Sequence, residues 1–423
     1  MNTFFQKLNT VIKDQSIRKR IVFAIGALVV FRILATIPMP GIDADNLQRL
    51  LEGNQFLGLL DIFSGGGISS LSIVMLGVGP YITASIIMQL LTMMFPRMKA
   101  MMQEEGESGR AKLSQYSRFL SVPLAALQAL GFLALLQNQN VISNLSGMPL
   151  ITSIFVITAG SVLLMWIGEL ISEFGIGNGV SLIIFAGIVA VLPTRLFQFF
   201  AGFDSSQIPL YLLFLVIAVV VVIAVVLVTE AERPVSVTYA KQVRGNKVYG
   251  GVSTYLPLRL NQAGVIPIIF ALSILLFPQI IANFLSNVSN ATISGIAQWT
   301  ASFLANPWAH GLIYFFLVFV FTYFYTAVTF DPKMISENLQ KSGAFIPGVR
   351  PGESTMNYLG KVVTRITLVG ALFLGLIAVL PLVMQGFTGN QTLAIGGTAL
   401  LIVVSVVLDL IKKIDAQISM REY

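Results

Sequence analysis

The chain has 423 residues, of which 11% are charged and 56% hydrophobic. A soluble domain carries about 25% charged residues, so a water-soluble globular protein is excluded. With no Cys and a single His, disulfides, thiolate chemistry and Cys- or His-cluster metal sites are excluded too; the net charge of +7 is informative through its placement.

Apolar runs of about 20 residues recur along the whole length, the signature of membrane helices rather than of barrel strands. The N-terminal tail is polar and basic, and the apolar run from Ile21 has no small-residue cleavage site, so no cleavable signal peptide is expected. Ten spans are predicted, at about 21–37, 72–95, 118–137, 150–170, 179–198, 209–229, 263–285, 311–330, 362–384 and 391–411. Of the 26 Lys and Arg, 23 fall in the N-terminal tail, the 2–3, 6–7 and 8–9 loops with their flanks, and the C-terminus. The loops at 138–149, 286–309 and 385–390 have none. The positive-inside rule therefore predicts ten helices with both termini cytoplasmic. Arg32 lies near the end of span 1, within snorkelling reach of the interface. Glu169 and Glu173, i and i+4 at a cytoplasmic helix end, read as solvated carboxylates.

Between spans 1 and 2, DIFSGGGISS (61–70) is too short and polar to cross a bilayer. Irregular backbone at membrane depth is tolerated only where protein or a water-filled cavity surrounds it. Two cytoplasmic loops exceed what a connector requires. In the first, about 230–262, β-formers alternate with polar residues around Arg244-Gly245-Asn246-Lys247, predicting a hairpin. In the second, about 331–361, the pairs Pro347-Gly348 and Pro351-Gly352 bracket Arg350 in a rigid exposed loop. Basic loops of this kind bind anionic lipid, RNA or an acidic protein patch, or merely set orientation; a projecting hairpin tip tilts the reading towards a large cytoplasmic partner.

The stretches GVGPYITASIIMQLL (77–91), EEGESGRAKLSQYSR (104–118), GIGNGVSLIIFAGIVA (175–190), TYLPLRLNQAGVIPIIF (254–270), GAFIPGVRPGE (343–353) and GGTALLIV (396–403) together resemble the SecY family, the central subunits of protein-conducting channels, in its bacterial branch. The resemblance implies an all-α integral membrane protein with ten transmembrane helices in two pseudo-symmetric five-helix halves. These form a clamshell with a re-entrant plug helix and cytoplasmic 6–7 and 8–9 loops. The parts would be a tail at 1–20, an N-terminal half at 21–198 with the plug at about 56–71, a C-terminal half at 199–411, and a tail at 412–423. The resemblance further implies a channel in a bacterial plasma membrane that passes unfolded secretory polypeptides and releases hydrophobic segments sideways into lipid. SecE-like and SecG-like subunits, the SecA motor ATPase, the ribosome, signal peptides and membrane lipids would be its partners, with no cofactor.

By position in the family's motifs, the pore ring would be Ile82, Ile86, Val180, Ile184, Ile269 and Ile402. The spacings Ile82/Ile86 and Val180/Ile184 place each pair on one helix face. An aliphatic collar dewets, blocks ions and offers no polar grip to a passing chain; an apolar residue in a span is otherwise ordinary packing. The plug would comprise Ile62, Phe63, Ser64, Gly65, Gly66, Gly67, Ile68 and Ser69, between spans 1 and 2. A lateral gate between spans 2 and 7 would use Pro80 and Pro267, read as helix-bending prolines. Ser85 and Gln89 either share polar contacts across that gate or serve ordinary helix–helix hydrogen bonding. Arg244, Lys247, Arg259 and Arg350 would dock the motor or ribosome, with salt-dependent affinity for rRNA phosphates. A secondary transporter, the main rival, predicts charges lining a membrane-embedded site, yet the spans are almost uncharged apart from Asp409, with Asp61 on the plug segment. No GxSxG, Walker A or HExxH motif is present, so no enzyme is expected and energy must come from a partner.

Overall fold

The computed structural model describes residues 13–39, 64, 66–68, 70–103, 105–138, 142, 147–201, 208–240, 242–244, 247–249, 251, 253–285, 290–388 and 396–419. A helix overlaps each of the ten predicted stretches: α1 (Gln15–Ala35), α2 (Gly79–Met94), α4 (Gly106–Asn138), α5 (Met148–Phe174), α6 (Gly179–Ala201), α7 (Ile208–Glu230), α8 (Ile266–Leu285), α10 (Pro307–Thr329), α12 (Glu353–Thr388) and α13 (Gly396–Ser419). Among the described residues, four helical segments are long and apolar enough to cross a membrane: Gly106–Gln137, Met148–Phe174, Pro307–Lys341 and Glu353–Met384. Large aliphatics such as Leu212, Leu215 and Val220 stand exposed on α7, as the outside of a membrane bundle requires.

Two expectations about loops give way. The 2–3 connection is helical, with α3 at Pro96–Gln103 and α4 starting at Gly106 rather than near 118. The 8–9 loop holds α11 (Pro332–Lys341) and the strand β5 (Ala344–Phe345). Polar helices of this kind lack the apolar run by which spans are recognised. What starts α11 is local: the Asp331 carboxylate accepts the amides of Lys333 and Met334 at 2.9 and 3.3 Å, and Pro332 occupies the first turn. The strongly amphipathic α11 then buries Ser336.

Span 2 starts later than predicted. Residues 72–78 form turns, and α2 begins only at Gly79. Gly77 holds φ at +58°, a conformation glycine adopts without the cost it carries for other residues. Ser72 instead bridges back to Pro38, with Met39 N donating to Leu71 O at 2.9 Å and Ile73 N to Ile37 O at 3.1 Å. On the other side α5 comes so close that a Cβ on Gly160 would strike the Ile73 carbonyl. The segment entering α2 is thus pinned between the end of α1 and the middle of α5.

The 6–7 region contributes strands to two sheets rather than forming one hairpin. Its strands are β1 (Glu232–Tyr239), β2 (Gln242–Arg244), β3 (Lys247–Tyr249) and β4 (Ser253–Arg259). β1 pairs antiparallel with β4, from Glu232↔Arg259 to Thr238↔Ser253. The predicted hairpin is present beyond them as β2–β3, in register Arg244↔Lys247; its tip, Gly245-Asn246, lies outside the described residues. β5 adds to the free edge of β1 through Thr238↔Phe345 and Tyr239↔Ala344, giving the order β4-β1-β5. Val235, Val237 and Leu258 pack with Ala344, Ile346, Leu359 and Val363 in one core. The two long loops therefore form a single platform on the first turns of α12.

Candidate functional site: an apolar centre and a basic platform

The central feature is an apolar cavity of about 70 Å³. Its wall includes Ile82 from α2, Ile184 from α6 and Ile269 from α8, together with Ser64 and Ile68 from the segment after α1. Of the six residues predicted for a collar, Ile86, Ile184, Ile269 and Ile402 belong to one buried cluster, and Ile82 and Val180 pack against it. Only Ile82, Ile184 and Ile269, from α2, α6 and α8, line the cavity itself; Ile86, Val180 and Ile402 are not among its lining residues.

Of the residues predicted for a plug, Ser64, Gly66, Gly67 and Ile68 are described and all are buried; Ile62, Phe63, Gly65 and Ser69 lie outside the described residues, as does Asp61. Ile68 packs with Phe132 and Leu133 of α4 and Ile157 of α5. Local hydrogen bonds fix the turn: Ile68 N donates to Ser64 Oγ at 3.2 Å, and Ser72 N to Gly67 O at 2.8 Å. Ser70 Oγ reaches both the Gly66 carbonyl at 2.9 Å and the Ala35 carbonyl at 2.8 Å, tying the segment to the last turn of α1. The described part of the segment is thus held by hydrogen bonds at one end and by apolar packing at the other.

Sequence reasoning missed two polar members of the cavity wall, Gln128 of α4 and Ser273 of α8, both buried. The signal was available: a glutamine inside an otherwise apolar span is expensive unless it faces protein or a cavity. The prolines need correction. Pro80 and Pro267 are the second residues of α2 and α8, in first turns where a missing N–H costs nothing, so they start these helices rather than bend them. The interior proline of α8 is Pro278. The helices α2 and α8 pack against each other. On α2, Ser85 is half-buried, and Gln89 has a buried Oε1 with no hydrogen-bond partner among the described residues.

On the platform, Arg244 and Lys247 end the paired strands β2 and β3 at its far tip. Arg259, at the base, is ion-paired with Glu232 at 3.4 Å, an exposed contact worth about 0–1 kcal/mol. Arg350 is exposed on the turn between β5 and α12. That turn is held from beneath: Thr355 Oγ1 donates to the Arg350 carbonyl at 2.9 Å and Ser336 Oγ to the Gly352 carbonyl at 2.7 Å. Glu169 is not simply solvated but pairs with Arg118 Nε at 2.6 Å, joining α4 to α5. In the 2–3 connection Glu105 bridges Lys112 at 2.8 Å and holds its ammonium pKa above the ordinary lysine value.

Long apolar helices with exposed aliphatics around a buried apolar core define a multi-pass helical membrane protein. A family model described as SecY matches residues 72–411. The protein translocase subunit SecY of Streptomyces coelicolor is 41% identical over 97% of this chain and 97% of its own length, and that of Mycobacterium leprae is 41% identical over 100% and 99%. The chain belongs to the SecY family. Among solved structures, that of a protein-conducting channel matches with a TM-score of 0.64 at 18% identity, covering 96% of this chain and 93% of the other. A structure of canine Sec61 in a ribosome–channel complex from the endoplasmic reticulum matches with a TM-score of 0.63 at 19% identity, over the same shares.

Proposed function

We propose that the chain is the pore-forming subunit of a protein-translocation channel, passing unfolded polypeptides across the membrane and releasing hydrophobic segments into lipid between α2 and α8. The observation that carries this reading is the apolar centre, where isoleucines of α2, α6 and α8 line one cavity together with Ser64 and Ile68 of the buried segment after α1. Aliphatic side chains exclude ions by dewetting and hold no passing sequence by hydrogen bonds. A substrate-indifferent pore needs both properties.

In this reading all ten apolar helices span the membrane as two five-helix halves, and residues 56–71 are a plug that leaves when a chain enters. Ile82, Ile86, Val180, Ile184, Ile269 and Ile402 form the collar, and α2 and α8 part as the gate, with the unsatisfied Gln89 Oε1 as one of its polar contacts. Both termini and the platform face the cytoplasm of a bacterial cell. Arg244, Lys247, Arg259 and Arg350 receive a SecA-type motor or the ribosome, and SecE-like and SecG-like subunits embrace the bundle. Reconstitution with a clamp subunit and the motor in vesicles tests this: a secretory precursor becomes protease-protected in an ATP-dependent manner. No protection, with coupled uptake of a small solute instead, would overturn the reading in favour of a transporter.

A further inference from the structure

The helix α9 (Ala291–Ala305) lies between α8 and α10 and packs against both. No Asp, Glu, Lys or Arg occurs from 286 to 309, and α9 is initiated by an uncharged cap, the Asn290 side-chain Oδ1 accepting the Thr292 amide at 3.1 Å. Its inward face is slight: Ala297 and Leu304 are buried, Leu304 within the central cluster. On the outside, Ile296, Trp299 and Phe303 follow one another at i, i+3 and i+7 and stay exposed, Trp299 at 66%. The Trp299 and Phe303 rings stack, with centroids 5.4 Å apart and planes 9° from parallel. Gln298 and Ser302, both exposed, flank the stripe with uncharged polar groups.

What covers this stripe follows from its neighbour. On α10, Trp308, Leu312, Phe316 and Val320 recur every fourth residue and are exposed, along a segment long and apolar enough to cross a membrane. Such a stripe meets acyl chains. It ends at Trp308, three residues beyond the last residue of α9, and the opposite end of the segment bears Lys333 and Lys341. The α9 stripe therefore continues an acyl-facing surface at the point where that surface reaches the interface away from the basic platform. Indole rings with an N–H to hydrate and an apolar body to bury concentrate at that depth. We propose that α9 is an interfacial anchor. Its Ile296–Trp299–Phe303 stripe lies in the headgroup–acyl boundary of the bilayer and fixes the outer ends of α8 and α10 at that depth. The inference does not depend on the translocation reading.

The chain has three Trp, so Trp166→Phe with Trp308→Phe leaves Trp299 as the only indole. In the full chain reconstituted in phosphatidylcholine nanodiscs, the emission of Trp299 is expected at short wavelength. An apolar face buried about 5–10 Å into the headgroup–acyl boundary predicts loss of most of that emission with lipid brominated high on the acyl chain. Lipid brominated near the chain end would take less, and aqueous acrylamide little. Quenching by acrylamide alone would put the stripe in water and overturn the proposal. So would resistance to all three quenchers, which means a protein partner covers it, or strongest quenching by bromine near the chain end, which means a deep re-entrant helix. Because the chain has no Cys, Phe303→Cys with a nitroxide provides a second measurement on a background that retains every Trp. Collisions with oxygen should exceed those with a water-soluble nickel chelate, and the reverse order would refute the anchor independently.

Discussion

Replacing Thr355 by Val keeps the shape of a side chain that is only 2% exposed and deletes one hydrogen bond, the 2.9 Å donation to the Arg350 carbonyl. Because Arg350 is itself exposed, that carbonyl is rehydrated when the turn opens, so the lower range for a hydrogen bond applies, about 0.5–1.5 kcal/mol. At about 1.4 kcal/mol per tenfold, the turn between β5 and α12 opens roughly 2- to 12-fold more often. Adding Ser336→Ala removes the matching 2.7 Å bond to the Gly352 carbonyl. Were the two independent, opening would rise to roughly 5- to 140-fold; two bonds in one turn couple, so the measured rise departs from that product. Hydrogen exchange read by mass spectrometry on the chain in nanodiscs measures this opening directly. The amides of Val349 and Met356, bonded to the Ile346 and Gly352 carbonyls, should exchange faster by those factors, while the middle of α12 is unchanged. Unaltered exchange at Val349 in the double variant would refute the claim that these two buried hydroxyls hold Arg350 in place. On the proposed function, motor-driven translocation falls in proportion to the opening and resting ion conductance does not move.

Replacing Ile82, Ile86, Ile184 and Ile402 together with Gly should raise resting ion conductance in planar bilayers, because the collar then no longer dewets; unchanged conductance would mean these side chains only pack. Ser64→Cys with Ser273→Cys introduces the only two thiols of the chain in the wall of the cavity. A bifunctional crosslinker joining them should block precursor transport, and reductive cleavage of a disulfide-containing linker should restore it; transport through the crosslinked chain would exclude plug displacement. Charge reversal of Arg244 and Lys247 should weaken binding to ribosomes and flatten its salt dependence, as measured by co-sedimentation across a salt series; an unchanged slope would remove these two side chains from the docking surface.

The membrane class and the approximate positions of the long apolar helices could be read from composition and hydropathy, because a helix that meets lipid must satisfy its backbone internally and so presents a continuous apolar run. The spacing of Ile82 and Ile86, and of Val180 and Ile184, assigned each pair to one face from helical geometry alone. Periodicity within one helix carries no information about which helices converge. Packing brought Ile82, Ile184 and Ile269 to one cavity, seated Ile68 against α4 and α5, and set Gln128 and Ser273 in the same wall. Likewise the alternation of β-formers marked a hairpin, but only tertiary structure joined β5 to β1 across about a hundred residues of chain, since a two-residue strand acquires its partners from the surrounding core rather than from its own propensity. The prolines make the same distinction: residue type says that an N–H is missing, and only the helix boundary decides whether Pro80 and Pro267 bend a helix or begin one.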